Sequence, residues 1–174
     1  MVTDKIDGHS YDLVYRMLQC RLMMRQSPKV LEIGVQYGLS MDYWKGLFPS
    51  GEFTGIDVED RRLDTELPHQ MLVGDAYSTE TLRVVERLRR TYDLIVDDGP
   101  HTRPSMEYAC QHYAPLTAPG GAFVVEDIPD PGWVPSLIAA LPADMAPSAF
   151  MVDLRHTPGT TGADDVMLVA LRDR

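Results

Sequence analysis

At 174 residues, with 44% of them hydrophobic, the chain carries enough apolar material for one domain with a sizeable core. The formal charge of −10 opposes a phosphate backbone, which nucleic-acid binding neutralises with Lys and Arg, so no nucleic-acid partner is expected. "MVTDKIDGHS" lacks the basic-then-apolar pattern of a signal peptide, and no stretch approaches the roughly 20 apolar residues of a membrane span. The expectation is a soluble, cytoplasmic protein with no membrane partner. Cys20 and Cys110, each within a helix-like pattern and without metal or redox spacing, are expected to be buried thiols.

Taken in chain order, apolar positions Tyr11, Val14, Met17, Leu18 and Leu22 predict a helix over 11–24 with Ser10 as its N-cap. "KVLEIG" reads as a strand ending in Gly34, "LSMDYWKGLF" as a helix, and "EFTGIDV" and "QMLVGD" as two further strands. "STETLRVVERLRR" has a capped start and an apolar stripe at Leu82, Val85 and Leu88. "YDLIVD" and "GAFVVED" predict strands, with helices expected near 104–115 and 133–141. Such alternation implies an α/β, Rossmann-like, doubly wound and mostly parallel sheet. The ending departs from it: "SAFMVDL" and "DVMLVAL" are joined by the Gly-rich "RHTPGTTGAD", which predicts a C-terminal antiparallel hairpin at the sheet edge. The expected organisation is a helical segment over 1–27 and a seven-stranded core over 28–174, forming one domain.

"LEIGVQYGLS" places Glu32, Gly34 and Gly38 in the order E-x-G-x-x-x-G at the end of the first strand. Glycine there permits a tight turn and the close approach of a ligand to the backbone, at the edge where doubly wound sheets bind ligands. The dinucleotide fingerprint G-x-G-x-x-G is not met, because Gln36 stands two residues beyond Gly34. Asp57, closing the second strand, is placed to accept hydrogen bonds from ribose hydroxyls, and Asp75 closes the third on the same edge. On these residues the chain resembles the class I S-adenosylmethionine-dependent methyltransferases. The resemblance implies that Glu32, Gly34 and Gly38 form the cofactor turn, that Asp57 binds the ribose, and that Asp75 lies on the adenine side.

"VDDGPHT" crowds Asp97, Asp98, Gly99, Pro100 and His101 at one chain reversal, and "VVEDIPDPG" ends the next strand in Glu126 and Asp127. Neighbouring strands lie about 4.8 Å apart, so Asp98 and Asp127 can converge on one ion. Oxygen donors favour a hard cation, most simply Mg²⁺. Asp97 is expected among the cofactor-binding residues, and either Asp97 or water is expected to complete the metal shell.

More particularly, "TDKIDGHSYDLVYRML", "LEIGVQYGLSMDYW", "DLIVDDGPHT" and "APGGAFVVEDI" resemble the Mg²⁺-dependent sugar O-methyltransferases of macrolide antibiotic biosynthesis, the mycinamicin and tylosin type. That resemblance implies metal binding by Asp98 and Asp127, His101 as the catalytic base, S-adenosylmethionine and Mg²⁺ as cofactors, and a hydroxylated, glycosylated natural product as acceptor. His9 and Tyr11 fall in its N-terminal stretch, either closing over the site or capping the first helix. A homo-oligomer is expected, since an open acceptor cleft calls for a cover. Two rivals carry different tests: a catechol-type methyltransferase would act on a simple catechol, and a non-catalytic partner subunit would bind the donor without turnover.

Overall fold

The computed structural model describes residues 3, 5, 9–61, 69–88, 90–157 and 165–173. Within them the chain runs α1 (Asp12–Leu22), β1 (Lys29–Ile33), α2 (Leu39–Leu47), β2 (Glu52–Asp57), β3 (His69–Val73), α3 (Thr79–Arg87), β4 (Tyr92–Asp97), α4 (Arg103–His112), β5 (Thr117–Val125), α5 (Val134–Ala140), β6 (Phe150–Asp153) and β7 (Val166–Leu171). One seven-stranded sheet has the order β3-β2-β1-β4-β5-β7-β6. The first five strands are parallel where they pair, and β7 runs antiparallel to both β5 and β6. The order reverses between β1 and β4, which makes the carboxyl edge at that point the natural ligand crevice.

Alternation along the strands divides the core between two faces. Val30, Leu94, Val96, Val124 and Val169 pack against Val14, Tyr15, Leu18, Met41 and Trp44 of α1 and α2. Leu31, Ile33, Ile95, Phe123 and Val125 face the opposite way, with Leu82, Val85, Met106 and Leu137 of α3, α4 and α5. Full burial of each large apolar side chain contributes about 1.5–3 kcal/mol, so this two-sided pattern outweighs the β-branched residues within α3.

The expected α/β architecture and terminal antiparallel pair are present, with β7 inserted between β5 and β6. Four local expectations need correction. Ser10 is not an N-cap: its φ is 56°, and α1 starts from Tyr11 without a side-chain cap, because the left-handed turn at Ser10 sends Tyr11 inward. The third strand stops at Val73, since the Asp75 side chain accepts from the Tyr77 amide at 2.9 Å and starts the turn into α3. The fifth stops at Val125, and Asp127, at φ 50°, leaves extended geometry. Cys20 is exposed, while Cys110 is buried as expected; Cys20 lies two residues from the buried Leu18, which puts it on the outer face of the helix. Ser78 does cap α3, accepting from the Thr81 amide. Much of the Gly-rich connection, at 158–164, lies outside the described residues, as do parts of the N-terminal stretch at 1, 2, 4 and 6–8. Among the described residues no helix is long and apolar enough to cross a membrane.

Candidate active site

Strand register delivers the acids. Ile33 pairs with Asp97, and Asp97 pairs with Val125, so Asp98 and Glu126 leave adjacent strands side by side, each followed by a turn. Beside them a cavity of about 370 Å³ opens along the ends of β1 to β4, lined by Gly34, Gln36, Asp57, Val58, Asp75, Ala76, Tyr77, Asp98, His101 and Asp127 among others. Its volume falls in the range of small-molecule sites.

On the β1–β3 side the turn is held by its own backbone. Gly34 has φ +85°, and a Cβ there would meet the Asp98 carbonyl oxygen at 1.9 Å, so only glycine permits this approach between β1 and β4. Gly38, at φ 81°, opens α2. One oxygen of Asp57 accepts from the amides of Val35 at 3.0 Å and Gln36 at 2.8 Å, locking the turn to the end of β2. Of the residues expected at the cofactor, Gly34, Asp57 and Asp75 line the cavity, and Gly38 is not among its lining residues. Glu32 and Asp97 do not reach it. Glu32 is fully buried and accepts from the Ser40 hydroxyl at 2.6 Å. Asp97 is buried and accepts from the Tyr77 hydroxyl at 2.5 Å. Burial, with the charge of Asp98 beside it, pushes the Asp97 carboxyl up to about 7 against the opposing Tyr77 hydrogen bond.

On the β4–β5 side one ligand atom each from Asp98, His101 and Asp127 falls within 4.8 Å of the others. His101 Nε2 stands 3.8 Å from Asp98 Oδ1 and 3.9 Å from Asp127 Oδ2. His101 and Asp127 both occupy the left-handed region, at φ 51° and 50°, a conformation that residues other than glycine adopt at a cost and that clusters at functional sites. Burial, and then the charge of Asp98, raises the Asp127 carboxyl above the ordinary carboxylate range. A cation between the two would relieve that repulsion, and the two carboxylate oxygens suit a hard ion such as Mg²⁺ or Mn²⁺, with His101 Nε2 beside them. The donor set therefore fits a divalent ion. His101 belongs to the cluster itself, where the sequence reading gave it only the role of base.

Lys5 was missed. Its ammonium is fully buried, bound to Glu126, 2.8 Å from Asp98 Oδ2 and 3.4 Å from Glu32. Burial alone would lower the Lys5 pKa, but Asp98, Glu126 and Glu32 outweigh it and hold the ammonium well above its usual range. The Tyr15 hydroxyl donates to Glu126 at 2.6 Å, and that of Tyr11 donates to Asp127. His9 Nδ1 lies 2.6 Å from Asp165 and stacks on Tyr11. His9 and Tyr11 both reach Asp127 of the acid cluster, and Tyr11 is also the residue from which α1 starts. The available signal was the cation in "TDK" preceding four acids that the topology gathers at one edge.

Residues 31–128 match the profile of a family described as a methyltransferase domain. The chain belongs to this methyltransferase family. The matched span runs from β1 past Asp127 and so contains the glycine turn and the acid cluster. Among characterised proteins, the methyltransferase domain is 33% identical over 110 residues to mycinamicin VI 2''-O-methyltransferase of Micromonospora griseorubida, covering 59% of this chain and 28% of that one. It is 30% identical over 114 residues to L-olivosyl-oleandolide 3-O-methyltransferase of Streptomyces antibioticus, covering 62% and 30%. The match thus spans less than a third of the length of these relatives. Its fold is that of the MycE methyltransferase of the mycinamycin pathway, solved with Mg and SAH, at a TM-score of 0.67 and 23% identity over 92% of this chain and 49% of that one.

Proposed function

We propose that this methyltransferase domain transfers the methyl group of S-adenosylmethionine to a hydroxyl of a sugar on a natural product, assisted by Mg²⁺. The observation that carries the reading is the convergence of Asp98, Asp127 and His101 on one point beside the cavity. The sugar O-methyltransferase relatives point to the acceptor class. Asp57 would hold the ribose, Asp75 the adenine side, and Gly34 and Gly38 the turn beneath the donor, with Glu32 and Asp97 supporting that turn from below. Asp98 and Asp127 would hold the ion.

When bound, the donor supplies an electrophilic methyl carbon and the cation a Lewis acid that lowers the pKa of an alcohol. The chain's own part is alignment and proton transfer. His101 Nε2 faces the same point as the two carboxylate oxygens and there takes the proton of the acceptor hydroxyl as it attacks. The left-handed turns at His101 and Asp127 aim both side chains inward, which reduces the reorganisation needed at the moment of transfer.

The functional unit in this reading is one domain, an N-terminal helical segment over 1–27 and a core over 28–174, resident in the cytoplasm. Copies of the chain associate through the exposed apolar residues Leu13, Met17, Met23 and Met24 at and just beyond α1. The test is methyl transfer from labelled S-adenosylmethionine to a demethylated macrolide glycoside. Chelation is expected to abolish transfer and Mg²⁺ to restore it; full activity of the chelated protein, or activity on a simple catechol alone, overturns the reading.

A further inference from the structure

The two carboxylates at the cation position are held alike. Asp98 Oδ2 accepts from the Lys5 ammonium at 2.8 Å, while Oδ1 is the oxygen facing His101. Asp127 Oδ1 accepts from the Tyr11 hydroxyl and lies 3.5 Å from His9 Nδ1, while Oδ2 faces His101. In each carboxylate one oxygen is engaged from behind by the N-terminal segment, and the other is turned toward the shared point.

We propose that Lys5 and Tyr11 are positioning residues of the cation site, each holding the rear oxygen of one carboxylate so that Asp98 Oδ1 and Asp127 Oδ2 are presented singly to one divalent ion. The inference rests on the proposed cation reading and deepens it. Both clamps are themselves fixed. Lys5 is bound by Glu126 and Glu32, and Glu126 is held in turn by Tyr15. Tyr11 is buried and stacked on His9. A carboxylate without such a partner rotates about its Cβ–Cγ bond and offers either or both oxygens, and hydrogen-bond partners of this kind are worth 10–100-fold in metal affinity.

Charge and position predict opposite signs at Lys5, which makes the inference testable. An ammonium this close repels a cation, so on Coulombic grounds its removal strengthens metal binding; if it orients Asp98, its removal weakens binding despite the added negative charge. Tyr11→Phe changes no charge and keeps the buried ring, so it reports position alone.

The experiment is a titration of the protein with Mn²⁺, without donor or acceptor, counting free ion by electron paramagnetic resonance, with each variant's fold checked by circular dichroism. The wild type is expected to bind one ion. Tyr11→Phe is expected to bind it about 10–100-fold more weakly, Lys5→Met to bind it more weakly as well, and Lys5→Arg to recover part of the loss. Should Lys5→Met not fold, Tyr11→Phe and Lys5→Arg carry the test. Tyr11→Phe within twofold of wild type, or Lys5→Met tighter than wild type, overturns the inference and leaves the cation reading standing. A wild type that binds no Mn²⁺ removes both.

Discussion

The two halves of the sheet's carboxyl edge are built on different plans. On the β1–β3 side Asp57 and Asp75 spend their oxygens on amides of nearby turns, and the cavity wall depends on the glycine conformation at 34. On the β4–β5 side Asp98, Glu126 and Asp127 are held by Lys5, Tyr11 and Tyr15, at sequence separations that reach 121 residues. The first half is a set of short motifs. The second exists only once distant strands are in register, and its acids are gathered against their mutual repulsion. Under the proposed function this becomes a division of labour, with a locally encoded cradle for the donor beside a globally assembled centre for the chemistry.

Substitutions can break that comparison on either side. The largest effect is expected at His101: His101→Gln should lower kcat by roughly 10²–10⁴-fold while donor affinity, measured by calorimetry, stays near wild type. Near-normal turnover of the glutamine variant would move the base elsewhere.

Next comes the stability of the assembled half. Lys5→Met leaves three carboxylates at the sheet edge without their counter-charge, and breaking a buried ion pair on one side costs about 3–5 kcal/mol. Denaturant unfolding should show a loss of that order. Lys5→Met combined with Glu126→Gln should recover part of it, since one of the stranded charges is removed.

The smallest effect belongs to the locally encoded half. Asp57→Asn keeps the shape and one acceptor oxygen but loses the charge, and should weaken donor binding by about 1–3 kcal/mol while leaving the Mn²⁺ affinity of the other half unchanged. If the two affinities fall together, the halves are coupled more tightly than their construction implies.

The same division governs how much was legible beforehand. The order of strands and helices followed from apolar periodicity, which burial on both sheet faces enforces, as at Val30 and Leu31. Gly34, Asp57, Asp75, Asp98, Asp127 and His101 could be located at the carboxyl edge because each lies at or just beyond the end of a strand that the pattern marks. Ser10 misled because a residue well suited to capping was needed for a left-handed turn, and the long-range pull of Tyr11 decided that. Cys20 misled because helical composition does not say which face a single thiol takes. Lys5 carried no local cue: a lone lysine among polar residues reads as solvated, and only the convergence of β1, β4 and β5 makes its position acidic and dry. Glu32 and Asp97 were located correctly along the chain, yet lie one layer beneath the cavity, a difference in depth that spacing does not encode.

The buried Lys5 ammonium also bears on the order in which the molecule is made. It joins the ends of three strands, and its contacts with Asp98 and Glu126 close loops of 93 and 121 residues. Closing such loops carries an entropic cost that is met only after the intervening strands have paired. Until then the converging carboxylates repel one another and retain water. Lys5 and Tyr11 are therefore expected to dock last, on a sheet already formed, and to give the site its final shape. A chain halted short of that step would have its strands in place and its acids splayed, so under the proposed cation reading metal capture would mark the completion of folding.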